Sequence, residues 1–217
     1  SFVTLKLLDD SPYDKVKVFV RISIDINHPK LEEHLINFDK IDVWKDYLIG
    51  DELYSALGTT IKKAGSKQAQ YKVDYTYQYE VAKAAAENGV KKYLLVSSAG
   101  ANYKSGNFYL RTKGSLDEKV QQLSYDQICI FRPSYLVGVR SEKRLGETIG
   151  IKIAGTITRL IPALKKYRPI KASRVAEAMI KSANQNLSDK IKIFNSDFKK
   201  IPTNRSFYSC RGNDKIR

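Results

Sequence analysis

Cysteine, histidine, methionine and tryptophan are scarce in this 217-residue chain, at two, two, one and one. Cys129 lies in an apolar, strand-like run and Cys210 in a polar stretch, so no disulfide framework is expected. Two such cysteines suit a reducing compartment, and a cytoplasmic location is the expectation. His28 and His34 have no cysteine or acidic cluster at ligand spacing, which argues against a metal site. No apolar run approaches the roughly 20 residues that span a bilayer, so no membrane partner is expected. The opening SFVTLKLLDD mixes charge into its apolar positions and does not read as a signal peptide.

Charge, by contrast, is plentiful and one-sided: 38 Lys and Arg against 23 Asp and Glu, a net +15. Such an excess can serve nucleic acid or anionic membrane. Here the lysines are spread along the whole chain without a block of about five or six like charges. A specific nucleic-acid partner is therefore not expected. A basic surface that draws in anionic small molecules explains the charge equally well. With 42% hydrophobic and 28% charged residues, the composition is that of an ordinary globular domain.

Strands and helices alternate along the chain. KVKVFVR (15–21) is a β-branched, period-2 run. HPKLEEHLINFD predicts a short helical turn followed by a short strand near 35–38, and DVWKDYLIG a short helix closing at Gly50. DELYSALGTT (51–60) reads as a strand that breaks at Gly58. Residues 67–88 form a long predicted helix stopped by Asn88-Gly89. Further strands are predicted at KKYLLVSS (91–98), QICIFRP (127–133) and KIKIFN, with helices at 108–123, over 142–165 in two pieces, and at SRVAEAMIKSANQN. This order implies right-handed crossovers and a mostly parallel sheet covered on both faces, in one α/β domain over 1–201 with a polar tail at 202–217.

The most informative pair is Tyr109 and Lys113 in FYLRTKGSLDEKV, about ten residues after the Ser97-Ser98 pair that ends KKYLLVSS. Side chains four apart on a helix share a face. A lysine ammonium beside a phenol favours the phenolate and lowers a pKa of about 10. A serine hydroxyl at a strand end could hold a carbonyl oxygen against that phenol. Together the three groups would form a proton donor for carbonyl reduction, or an acceptor for alcohol oxidation. The plainer reading is an amphipathic helix with a surface tyrosine and lysine.

A dinucleotide fold opens with a strand and a Gly-x-x-Gly-x-x-Gly turn leading into its first helix, and neither is present. Phe2, Val3, Leu5, Leu7 and Leu8 look like the later part of such a helix, stopped by Asp9, Asp10 and Pro12. The expectation is a Rossmann-like, doubly wound parallel sheet in which the first strand and glycine-rich loop, about 15–20 residues, are absent from this sequence.

With these residues in view, the chain resembles the atypical short-chain dehydrogenase/reductase family, in its NAD(P)-binding branch related to Tat-interactive protein. The resemblance rests on VRISIDINHPKLEEH, SALGTTIKKAGS, YKVDYTYQYEVAKAAAENGVKKYLLVSSAGA, NFYLRTKGSLDEKV, IFRPSYLVGVRSEKRLGE and YRPIKASRVAEAMI, which occur in that order. It implies that Tyr109 is the catalytic proton donor or acceptor and that Lys113 tunes it and holds the nicotinamide ribose. Ser98, ahead of Ser97, would orient the carbonyl. Leu57, Gly58 and Thr59 would pass along the cofactor, with Pro133, Tyr135 and Leu136 beside its ring. Arg144 would reach a phosphate or the substrate. Arg21, with no acid beside it, suits a 2′-phosphate and favours NADPH over NADH; Ile22 stands where the family often has a second arginine. Asp39 could border the adenine, and Asp74, near a place where classical members carry an asparagine, receives no role. A segment at about 138–172 would shape the substrate side.

The resemblance thus implies an NADP-dependent oxidoreductase acting on a small carbonyl or alcohol. It also admits a non-catalytic NADP(H)-binding regulator that works through protein partners, and a homodimer paired through the helices after the fourth and fifth strands.

Overall fold

The protein is described by a computed structural model covering residues 1–9, 12–137, 169–185, 187–196 and 198. Helix α1 (Phe2–Asp9) leads to strands β1 (Val16–Val20) and β2 (Leu31–Leu35), then to two 3-10 turns (Phe38–Val43 and Lys45–Tyr47) and β3 (Glu52–Ser55). A short α2 (Ile61–Ala64) precedes α3 (Lys67–Tyr71), a π-helical turn (Lys72–Thr76) and α4 (Tyr77–Glu87). There follow β4 (Lys92–Val96), α5 (Phe108–Val120), β5 (Gln127–Arg132), β6 (Leu136–Val137), β7 (Ile170–Lys171), α6 (Ala172–Ala183) and β8 (Ile191–Asn195). The helical pieces expected over 142–165, the tail at 202–217 and most of the 138–172 segment lie outside the described residues.

Strand pairing is parallel throughout the described residues: β3-β4-β5-β8 form one sheet, β1-β2 a second and β6-β7 a third. Parallel neighbours need crossovers, and α4, α5 and α6 supply them. Because the strands alternate their side chains, the central sheet is apolar on both faces. Leu94, Cys129 and Phe131 face α6 and α1, meeting Val175, Met179, Val3 and Leu7. Tyr93, Leu95, Ile128 and Ile130 face α4 and α5, meeting Ala82, Ala85, Leu116 and Val120. Each fully buried aliphatic side chain contributes about 1.5–3 kcal/mol. By comparison the exposed Lys6–Glu177 pair between α1 and α6, at 3.0 Å, is worth roughly 0–1 kcal/mol. Apolar contact, not that ion pair, docks α1.

Two expectations are corrected. In HPKLEEHLINFD the strand comes first, at Leu31–Leu35, and the helical turn follows from Phe38. Register with β1, Val16 opposite Leu31, overrides the helical leaning of KLEEH. Asn37 then starts the turn by accepting from the Asp39 N–H at 2.9 Å. The long helix over 67–88 is also not uniform, since the π turn interrupts it at Lys72–Thr76.

The β1-β2 pair and the four-stranded sheet are not hydrogen-bonded to each other. A cleft of ≈ 730 Å³ separates them, lined by Val18 and Val20 on one side and Leu53, Tyr54 and Ser55 on the other. Val16 donates to Lys30 and Val20 accepts from Ile36, both at 2.8 Å, so the peptide groups of Lys17 and Phe19 turn away from β2 towards this cleft. In β3 the Asp51 carbonyl accepts from Lys92 at 3.1 Å, which leaves the peptide groups of Glu52 and Tyr54 facing it from the other wall. In a doubly wound sheet this is the place of a strand.

Candidate functional site

In parallel sheets, ligands bind beyond the carboxyl ends of the strands. Each described candidate residue outside the helices lies just past such an end: Arg21 after β1, Leu57, Gly58 and Thr59 after β3, Ser98 after β4, and Pro133 to Leu136 after β5. A second cleft, of ≈ 430 Å³, brings several of them together. Its walls include Ser97, Ser98, Tyr109, Pro133, Tyr135 and Leu136. The backbone builds it, because β4 and β5 stay paired past their ends: Ser97 N–H donates to Phe131 O at 2.7 Å and Ala99 N–H to Pro133 O at 2.8 Å.

Tyr109 reaches the cleft from the first turn of α5. Asn107 caps that helix, its side-chain oxygen accepting from Leu110 N–H at 3.1 Å, which fixes where the turn begins. The tyrosine is 38% exposed, whereas Lys113, one turn later, is only 4% exposed. Desolvation pushes the Tyr109 phenol above its ordinary value; the Ser98 hydroxyl draws it back down, and the charges of Asp74 and Asp117 raise it further. The expected lowering by Lys113 is therefore replaced by a net rise. The physical reason is burial of the phenol, which the lysine does not offset; the Lys113 Nζ lies 3.9 Å from Asp74 Oδ1. Burial pushes the Lys113 ammonium down, and Asp74 and Asp117 push it back up.

Behind the cleft lies a buried polar layer. Asp117, one turn beyond Lys113 and fully buried, accepts from Arg132 Nε at 2.8 Å. Burial raises its pKa, with Ser97 and Arg132 opposing. Ser97 lowers the pKa of this carboxylate and Ser98 that of the phenol, and both serines line the cleft. Gly58 stands next to Asp74, and a Cβ added there would lie 3.1 Å from Asp74 Oδ1 and 4.0 Å from Lys113 Nζ.

Other candidates are less engaged. Arg21 is exposed at the end of β1. Asp39, expected to border an adenine, is held by Lys72 and by the Tyr77 hydroxyl, which donates to it at 2.6 Å. Arg144 lies outside the described residues. Residues not assigned from the sequence are Asp74, Asp117, Arg132 and Ser134. Of these only Asp117 carried a usable signal, four positions after Lys113 on the same helix face.

No family model matches the chain. It is 38% identical to the mitochondrial protein FMP52 of Candida albicans over 166 residues, 72% of this chain and 70% of that protein. It is 30% identical to protein HTATIP2 of Rattus norvegicus, over 70% of this chain and 64% of the rat protein. Among solved structures, the Thermus thermophilus UDP-glucose 4-epimerase in complex with NAD superposes with a TM-score of 0.63 at 11% identity, covering 89% of this chain and 73% of that one. That likeness concerns the fold. The cytoplasmic expectation is overturned: several fungal relatives are named as mitochondrial proteins, and a low cysteine count does not tell one reducing compartment from another. The chain belongs to the family of FMP52 and HTATIP2, an atypical branch of the NAD(P)-binding short-chain dehydrogenase/reductases.

Proposed function

We propose that this chain is an NADP-dependent oxidoreductase that moves a hydride to or from a small carbonyl or alcohol, with Tyr109 handling the proton. The observation that carries this reading is the cleft in which Ser98 and Tyr109 face Pro133, Tyr135 and Leu136 at the ends of two parallel strands. At ≈ 430 Å³ it is of the size that encloses small molecules, within the roughly 300–1,000 Å³ of typical ligand sites.

The residues fit a nicotinamide cofactor. Gly58 presents bare backbone where a side chain would crowd Asp74. Lys113 makes no hydrogen bond among the described residues, so its ammonium keeps donors for ribose hydroxyls. Pro133 and Leu136 would flank the ring, Leu57 and Thr59 would follow the cofactor backbone, and Arg21 would meet a 2′-phosphate. When bound, the cofactor supplies or accepts the hydride. The protein's part is positional and acid–base. Ser98 would hold the substrate oxygen against the phenol, and Tyr109, protonated at neutral pH as phenols ordinarily are, would donate to that oxygen as negative charge develops there. The names of the fungal relatives favour a mitochondrial setting.

Titration of the purified chain with NADPH and NADH, followed by nicotinamide fluorescence, tests the cofactor. Oxidation of NADPH across a panel of aldehydes, ketones and quinones tests the chemistry. Saturable binding with turnover supports the enzyme; binding without turnover on any of them supports a cofactor-sensing regulator; absence of binding ends both. Arg21→Ala is expected to weaken NADPH roughly ten- to a hundredfold, the worth of a charge-assisted contact, with NADH unchanged. Equal losses for the two cofactors would remove Arg21 from phosphate recognition.

A further inference from the structure

We propose that Glu33 is a specificity-determining residue, holding the loop donors that a 2′-phosphate would take and so narrowing the preference for NADPH over NADH. This rests on the reading of the carboxyl ends of the strands as the cofactor site, with Arg21 at its adenosine end. Glu33 does not stand at the end of β1, where an acid that reads the ribose would be sought, but on β2, paired with Val18. Its side chain reaches the loop after β1. Oε1 accepts from the Ile24 N–H at 3.2 Å and Oε2 from the Ser23 hydroxyl at 3.3 Å.

The loop is folded as a socket for an anion. Asp25 adopts the left-handed region at a φ of 50°, a conformation that aspartate tolerates. Its N–H donates to Ser23 Oγ at 3.2 Å, which leaves the serine hydroxyl proton for the carboxylate. Donors drawn together in this way make a concavity for negative charge. Ile24 also lines the cleft of ≈ 730 Å³ together with Val20 and Leu57, so the loop stands at the carboxyl end of that cleft, just after Arg21.

Charge balance separates Glu33 from an ordinary loop staple. Its neighbour Glu32 is met by Lys15 at 3.0 Å and by His34 at 2.8 Å. Glu33 meets no basic side chain among the described residues, and the exposed Arg21 meets no carboxylate among them. An unpaired arginine and an uncompensated carboxylate thus belong to the same loop. Selectivity is a difference of affinities, and here the two charges act with opposite sign. A 2′-phosphate drawn by Arg21 must displace Glu33 from Ser23 and Ile24, or share the loop with its charge. A 2′-hydroxyl makes no such demand.

The test reads binding, not turnover. Calorimetric titration of the full chain with adenosine 2′,5′-bisphosphate and with adenosine 5′-phosphate isolates the contribution of the 2′-phosphate. Glu33→Gln removes the charge and keeps an oxygen for the Ile24 N–H. It is expected to bind the bisphosphate about tenfold tighter, the worth of one like-charge contact, and the monophosphate within about twofold of the parent. Adding Ser23→Ala to Glu33→Gln should give back part of that gain, because the hydroxyl is one of the donors released. An unchanged ratio between the two ligands, an equal gain for both, or bisphosphate binding to neither chain overturns the proposal. A glutamate that only staples the loop would leave the ratio where it is. NADPH turnover with an unmoved ratio would strike Glu33 and leave the oxidoreductase reading; a moved ratio with no turnover on any carbonyl would do the reverse.

Discussion

Tyr109→Phe is expected to lower the rate of NADPH-dependent carbonyl reduction by roughly a hundred- to ten-thousandfold, the contribution of a positioned general acid. The substitution removes one oxygen from a side chain that is 38% exposed at the rim of its cleft. The ring remains to shape the wall, so NADPH affinity should stay within about twofold and the melting temperature within about 2 °C, as for surface changes of about ±0.5 kcal/mol. That contrast is the diagnostic. A loss confined to turnover identifies the phenol as the proton donor, whereas equal rates for variant and parent would leave the cleft a binding site only. Ser98→Ala should reproduce part of the loss, because Ser98 lies against the same phenol and lowers its pKa. A phenol raised above its ordinary 10.0 is protonated at neutral pH, as an unperturbed one also is, and the rise makes it a weaker acid; to act as a base it must first lose that proton, which requires alkaline solution or an additional positive charge nearby.

Much of the site was legible because the signals were local. Tyr109 and Lys113 share a helix face by spacing alone, and a serine at the end of an apolar strand falls at the carboxyl edge once the sheet is parallel. The period-2 run of β1, the continuous apolar runs of β4 and β5 and the apolar stripe of α6 likewise need no partner to be read. What stayed hidden depends on contacts distant in sequence. LEEHL becomes a strand only because β1 offers it a parallel edge. Asp74, set among tyrosines in YKVDYTYQYE, received no role from the sequence, and its full burial within the π turn is visible only in the fold. Lys113 was expected to act on the phenol, yet the nearer charge is a carboxylate from another helix, and no spacing rule within α5 reveals that.

Gly114→Ala is expected to destabilise the protein by about 2–3 kcal/mol and to disturb the site without touching any of its side chains. Inside a helix, alanine is ordinarily the better residue by about 1 kcal/mol, so propensity alone predicts the opposite sign. Geometry decides. A Cβ at Gly114 would lie 2.3 Å from both the carbonyl carbon of Asn102 and the backbone nitrogen of Tyr103. These are backbone atoms, which cannot rotate aside. The loop after β4 is seated there by its own hydrogen bond, Asn102 N–H to Leu110 O at 3.1 Å, and by Arg111 Nη1 reaching Ser105 O at 2.7 Å. Making room therefore means moving α5 off the loop, and forced repacking of this kind costs about 1–3 kcal/mol or more, beyond what the helix gains. At about 2–4 °C per kcal/mol for a chain of this size, the melting temperature should fall by about 4–12 °C. Because Tyr109 and Lys113 ride on α5, a helix displaced by an ångström should also lower turnover, with the loss shared between rate and substrate affinity, unlike that of Tyr109→Phe. An unchanged or higher melting temperature would mean that the loop yields without resistance, and the close packing of helix on loop would then not be what holds the tyrosine at the cleft.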